Sequence, residues 1–589
     1  MARRDPHSYA DDEQPRTEHL DLDLRVDFPA RRLHGEIALH FAAPGSGPLD
    51  LDTRDLELLS VTSLDGAPLE HRLFAPEPAV CWLGARLRIE LPQASLGVRL
   101  RYRTSESASA LQWLSPAQTA GGQHPFLYSQ CQPIHARSIA PLQDTPGIRV
   151  RAKARFTVPP ALRALMAAAP LGRSTKDGEA VDAFEMPQPI PTYLLAFAVG
   201  DLTSRQLSPR SAVWAERPVA DAAAYEFAEV ERMIVAAEKL FGPYAWDRFD
   251  VLVLPPSCPY GGMENPRLTF VTPSLLAGDR SLVNVLAHEL AHAWTGNLVT
   301  NASLDDFWLN EGFTVYAEER ILEELEGRDA SELHAAIGAH ELSLGLEQLA
   351  ATPELTRLRN DLTGRDPDSV FSTVPYWKGY LLLRRLEELA GRPAWDEFLR
   401  AYIDRFRFRS IVTDDFLALL EERLPGLAQS AEVLRWIDQP GLPAQAPHPR
   451  STRLHELRAL AARAATGEVP SAEEAQRLTP TELLVFLQSL PLLAAGTCAA
   501  LDALFGLSNR RSLELRHNFV LAQLRAGAPG SVAAARRILL ETGRMKYLRP
   551  LYRELLKRPE TAAAAALIHA EARDGYHSIA RAVVEGLLG

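Results

Sequence analysis

His288-Glu289-Leu290-Ala291-His292 places two imidazoles four residues apart, with a carboxylate beside the first. Residues four apart on a helix lie on one face, and Leu282, Val285 and Leu286 give this stretch a helical apolar pattern. Two such imidazoles can share one Zn²⁺, and Glu289 is then placed to reach a water at the metal. Glu311 follows His292 after eighteen intervening residues. The spacing predicts a first helix running to about Val299, a turn over Thr300 to Ser303, and a capping box from Ser303 to Asp306 opening a second helix. Each leg is about 10 Å long at about 1.5 Å per residue, so Glu311 returns level with His292. Two nitrogens and one oxygen leave a coordination position open, which marks a catalytic site holding one zinc per chain. The competing reading makes Glu311 half of a surface ion pair. Other histidines, such as His40 and His455, read as surface or core residues.

The elements that must position these groups are legible in outline. Leu20, Leu22, Leu24, Val26 and Phe28 alternate with polar residues, as do Leu87, Ile89 and Leu91, then Val98, Leu100 and Tyr102, then Ala154, Phe156 and Val158. A period of two is the mark of half-buried strands, so residues 1–200 are expected to form an antiparallel β domain. From about residue 222 the period becomes helical, with a short apolar strand from Val251 to Leu254, and residues 201–438 are expected to hold the mainly helical zinc domain. The proline-rich stretch 439–451 cannot propagate a helix and reads as a linker. Residues 452–589 read as successive amphipathic helices in a solenoid-like array, with breaks at Thr479-Pro480, Gly527 to Gly530, and Pro550. The fold class is multidomain α+β.

Composition excludes several functions. The chain has 589 residues, 63 Lys plus Arg, 75 Asp plus Glu and a net charge of −12. This balance speaks against general nucleic-acid or anionic-membrane binding. No apolar run reaches the ~18 residues of a membrane span, and the first twenty residues do not resemble a secretory signal. Four scattered cysteines, Cys81, Cys131, Cys258 and Cys498, fit a reducing compartment. A cytoplasmic location is expected.

The His288–His292 motif, the eighteen-residue gap and Asn310-Glu311-Gly312-Phe313 resemble the M1 metallopeptidase family, as does Gly261-Gly262-Met263-Glu264-Asn265 upstream. The segments Ser129 to Arg137, Val374 to Gly379 and Gly543 to Lys546 are similar to its leukotriene A4 hydrolase and aminopeptidase B-like branch, and the likeness runs through nearly the whole chain. It implies three parts: a β N-terminal domain, a thermolysin-like catalytic domain and a helical C-terminal domain. It implies hydrolysis of short peptides with a free N-terminus, with His288, His292 and Glu311 on zinc, Glu289 as general base and Tyr376 as oxyanion donor. Glu264, with Gln132, would bind the substrate ammonium, and Gly261 and Gly262 would let its backbone approach. Gln130, Tyr260 and Met263 join the substrate-binding set. Arg544 and Lys546 match the position of a carboxylate-binding pair, and otherwise read as solvated charges. Asp368 matches an acid used in epoxide opening, but Phe371 stands where that branch has a second pocket tyrosine.

Four functions therefore compete: a zinc aminopeptidase, a bifunctional enzyme that also hydrolyses a lipid epoxide, a zinc endopeptidase and a non-catalytic scaffold. The first is favoured, because Glu289 and all three ligands are present and the Gly261–Asn265 segment speaks against an endopeptidase.

Overall fold

The computed structural model describes residues 5–589. Alternation becomes burial as expected: Leu20, Leu22, Leu24 and Val26 of strand Thr17–Asp27 face the core. This strand lies inside an eight-stranded sheet with Arg32–Thr53 on one side and Arg149–Val158 on the other. Pairing is antiparallel except between Thr17–Asp27 and Arg149–Val158, which run parallel. A second sheet joins Leu111–Leu114, Phe126–Ser129, Phe197–Gly200 and Arg163–Met166. Its Phe126–Ser129 strand ends immediately before Gln130 and Gln132.

Sheet membership changes after Gly200. Leu202–Ser208, Ser211–Glu216, Asp250–Val253, Leu268–Val271 and Gly262–Met263 make a third, five-stranded sheet in that order. Gly262–Met263 is one of the two edge strands and, among the described residues, pairs with Leu268–Val271 alone. Helices then dominate: Val283–Ala291, Trp308–Glu326, Arg328–Gln348, Val374–Ala390 and Arg392–Phe406. One apolar cluster runs from Leu20 to Ala446, so the β sheets, these helices and part of the proline-rich segment share a core. That segment is non-helical and strapped down: Lys378 Nζ donates to the Gln439 carbonyl, and the Arg450 amide donates to Glu332 Oε2.

The C-terminal helices form layers. Thr452–Arg463, Pro480–Gln488, Leu513–Ala526, Met545–Leu556 and Ser578–Leu588 each pack on the next, while Ala495–Phe505, Ser531–Glu541 and Pro559–Ala572 pack beside them. They enclose two clusters of their own. A small third cluster joins Leu454, Leu457 and Val485 to Leu333 and Ala336 of the helical middle region. Pro550 was expected to break a helix, but Met545–Leu556 runs through it. Proline forfeits one backbone bond there. Burial of Tyr547, Leu548, Leu551, Tyr552 and Leu555 along one face holds the helix together.

Candidate metal centre

His288 and His292 lie at the end of helix Val283–Ala291, their rings 4.8 Å apart and nearly perpendicular. The helix does not continue to Val299. It ends at His292, the chain turns through Gly296 at φ +110°, and Val299–Asn301 becomes a strand beside Arg409–Ile411. A Cβ at Gly296 would lie 2.5 Å from His292 Nδ1, so only glycine permits both the turn and the imidazole position. The expected capping box also differs. Ser303 Oγ accepts from the Asp305 amide, a 3₁₀ turn covers Leu304–Asp306, and Asp306 accepts from Thr413 Oγ1. The second helix starts only at Trp308, which puts Glu311 in its first turn. The return leg is built from a strand and a turn, yet it delivers Glu311 to the same place.

Glu311 Oε2 lies 3.4 Å from His288 Nε2 and 3.6 Å from His292 Nε2. The two Nδ1 atoms are already engaged, His288 with Glu318 Oε2 at 2.9 Å and His292 with the Thr295 carbonyl at 3.1 Å. In the neutral form Nδ1 would therefore carry the proton in each ring, leaving both Nε2 atoms facing Glu311. Glu311 Oε2 is buried and has no hydrogen-bond donor among the described residues. Burial holds the pKa of His292 down to about 3, keeping it in the neutral form a metal needs. Burial also depresses His288, but the flanking Glu311 and Glu318 carboxylates outweigh it and raise its pKa. A dication in this gap would replace that proton. These residues fit zinc.

Two more carboxylates crowd the group. Burial, opposed by His288 and reinforced by Glu311, pushes Glu289 up to about 8. Burial, Glu311 and Glu289 push Glu264 upward too. Glu264 Oε1 accepts from Gln132 Nε2 at 3.2 Å, and its main-chain carbonyl accepts from Asn297 Nδ2 at 2.6 Å. Gln130 reaches Met263 Sδ at 3.2 Å. The glycine pair has its own packing role. A Cβ at Gly262 would fall 2.2 Å from Glu289 Oε1, and one at Gly261 would fall 2.7 Å from Arg544 Nη2.

Tyr376 opens helix Val374–Ala390, its ring 6.2 Å from that of His288 and nearly parallel to it. Burial and Glu311 raise its hydroxyl pKa, so the phenol stays protonated. Two glycines bring it here. Gly312 and Gly379 meet backbone to backbone where the Glu311 and Tyr376 helices cross, and a Cβ at Gly312 would lie 2.8 Å from Gly379 Cα. Phe307 and Phe371 flank Tyr376 with ring centroids 6.3 and 5.8 Å away.

The remaining candidates lie around this centre. Asp368 Oδ2 is held by His135 Nε2 at 2.9 Å, tying it to the β region. Tyr260 is half-buried nearby, its pKa raised by burial and then by Asp368. Gly543 and Met545 amides donate to the Pro256 and Pro259 carbonyls, which clamps Arg544 beside Gly261. Lys546 is committed elsewhere, its Nζ 2.9 Å from Glu514 Oε1. Glu318, Thr295, Gly296 and Phe307 escaped sequence reasoning, which met His135 only within the Ser129–Arg137 segment. Only Glu318 left a signal, two helical turns beyond Glu311 on the same face.

Residues 225–439 match the Peptidase family M1 domain, residues 16–194 the Peptidase M1 N-terminal domain, and residues 478–588 the Leukotriene A4 hydrolase, C-terminal domain. The chain is 38% identical to leukotriene A-4 hydrolase of Xenopus laevis over 94% of its own length and 93% of the relative's. It belongs to the M1 peptidase family. As an M1 peptidase it is also 36% identical to leucine aminopeptidase 2 of Aspergillus niger, over 99% of this chain and 97% of that protein. The structure of yeast LTA4 hydrolase in complex with bestatin superposes with a TM-score of 0.93 at 31% identity, covering 100% of this chain and 97% of the yeast chain. An M1 zinc metallopeptidase of Deinococcus radiodurans shares the fold over 75% of this chain and 98% of its own, with a TM-score of 0.61 at 24% identity. The expected three-part α+β fold is the one found.

Proposed function

We propose that this M1 peptidase is a zinc-dependent aminopeptidase that removes N-terminal residues from short peptides. The observation that carries the reading is the convergence of His288, His292 and Glu311 on one gap, with Glu264 and Glu289 grouped around the same His292. Zinc bound by His288, His292 and Glu311 would supply Lewis acidity, polarising the scissile carbonyl and acidifying water.

The chain's own groups divide the remaining work. Glu289, whose pKa burial raises and a dication beside it would lower again, takes the proton from the attacking water as a carboxylate and hands it to the leaving amine. Tyr376, protonated at neutral pH, donates to the oxygen on which charge develops. Glu264 receives the substrate's α-ammonium, and that cation offsets the charge this buried carboxylate would otherwise carry alone. Gln132 donates to Glu264 and so leaves its own amide oxygen for the same ammonium. The unpaired edge of Gly262–Met263 offers backbone groups to an extended peptide. Arg544, beside Gly261, receives the carboxylate of a peptide only a few residues long. Lys546 contributes indirectly, by neutralising Glu514. The four cysteines are unpaired, which supports a cytoplasmic location, and no described helix is long and apolar enough to cross a membrane.

The test is hydrolysis of a tripeptide beside its N-acetylated twin, with zinc and after chelation. Cleavage of the free form alone, lost on chelation, is expected. Cleavage of both would make the protein an endopeptidase and remove Glu264 from the mechanism.

A further inference from the structure

A cavity of about 210 Å³ separates the metal-site helices from the C-terminal helices. One wall carries Val285 and Glu318, the residue that holds His288, so the cavity lies directly behind the metal group. The opposite wall carries Arg544. Most charges around it are already satisfied. Lys546 pairs with Glu514 at 2.9 Å, Glu318 bonds His288 at 2.9 Å, and Glu319, which accepts from Ser331 Oγ at 2.9 Å, is pushed toward its neutral form by burial and by Glu318.

Arg544 and Glu341 form no close ion pair among the described residues, though Glu341 adds to the field that raises the Lys546 pKa. The Arg544 guanidinium donates only to Ser274 Oγ and the Tyr547 hydroxyl, at 2.9 and 3.3 Å. Glu341 Oε2 accepts from the Trp377 indole at 3.3 Å. Trp377 is half-buried, and its indole is fixed in place. Gly338 leaves room for it, since a Cβ there would fall 2.2 Å from the ring, and Tyr380 packs edge-on at 5.7 Å. The cavity thus presents one cation and one anion outside any close ion pair among the described residues, the anion bonded to an aromatic ring that can also receive a cation.

We propose that this cavity selects short peptides whose C-terminal residue is lysine or arginine. Arg544 takes the terminal carboxylate, while Glu341 and the face of Trp377 take the cationic side chain. The C-terminal residue of such a peptide carries one charge of each sign, matched to Arg544 and Glu341 in the wall. An acidic C-terminal residue would oppose Glu341 and be rejected. The inference rests on the aminopeptidase reading above, which needs a free N-terminus but sets no requirement at the far end beyond a carboxylate.

The test compares kcat/KM for Ala-Ala-Lys, Ala-Ala-Leu and Ala-Ala-Glu on the zinc-loaded full chain. Lysine should exceed leucine by about tenfold, the worth of one cation–π or charge-assisted contact, and glutamate should be poorest. Glu341→Gln should bring the Lys-to-Leu ratio close to one, and Glu341→Lys should make Ala-Ala-Glu the best of the three. The same order should appear as dissociation constants in zinc-loaded Glu289→Gln protein, where turnover plays no part. Equal kcat/KM for the three peptides, or a lysine preference that survives Glu341→Gln, overturns the proposal. Failure of the aminopeptidase reading would look different, because none of the three would be cleaved.

Discussion

Glu289 is fixed by contact as much as by its place beside His288, because Gly262 leaves just enough room for its carboxylate. Glu289→Gln keeps that shape and removes the proposed base. Zinc content should be unchanged while kcat falls by about 10²–10⁴-fold, as measured by metal analysis beside peptide turnover. His288 depends on a single side chain, Glu318, whereas His292 is held by a backbone carbonyl and backed by Thr314 Oγ1 at 3.1 Å. Glu318→Ala should weaken zinc binding about 10–100-fold, as outer partners of metal ligands typically do. Competition with a chromogenic chelator reads this directly, and unchanged affinity would remove Glu318 from the centre. The metal group was legible in the sequence because residue type and spacing carry its chemistry. Thr295 and Thr314 were not, because a threonine beside an imidazole follows from the turn at Gly296, and no local pattern announces that turn.

Helix crossings set the distance between Glu311 and Tyr376. Where Gly312 meets Gly379, each lacks the one carbon that would force the helices apart. Gly312→Ala should therefore cost about 1–3 kcal/mol through overpacking. It should also lower kcat by shifting Tyr376, so a lower Tm should accompany the kinetic loss. A Tm fall with normal kcat would show that the crossing serves stability alone. Element types were well predicted from periodicity, since Leu20 to Val26 and the His288 helix each bury one regular face. Boundaries were harder. Spacing alone carries the helix on to Val299, but Leu298 and Val299 are buried in a turn and a strand instead. At Pro550 a local rule lost to tertiary burial, since five buried side chains outweigh one missing backbone bond.

At the scale of the molecule, Lys378 joins the Tyr376 helix to the strap that leads into the C-terminal helices. Its Nζ is buried and donates to the Thr356 and Gln439 carbonyls, at 2.8 and 2.9 Å, with no carboxylate among the described residues in reach of a hydrogen bond. Burial, with Arg357 adding to it, pulls its pKa down to about 7 from the ordinary 10.5. Between those values the unfolded chain binds more protons at this position, so its contribution to stability rises with pH from about 7 to about 10.5. Lys378→Met should remove that slope, seen as the difference between the two proteins' denaturant midpoints across this range. A parallel pair of curves would mean that the ammonium stays charged in the fold. The three-part organisation was visible in changes of period along the chain. The sharing of one core by the first two parts was not, because apolar residues do not declare which neighbours they will meet. That asymmetry of cores also bears on how such a molecule can change over time. Cleavage chemistry sits in the large shared core, while Arg544 and Lys546 hang from helices that close around cores of their own. Mutations that loosen or reshape the C-terminal layers can redraw the menu of acceptable peptides, while the hydrolytic machinery is inherited intact.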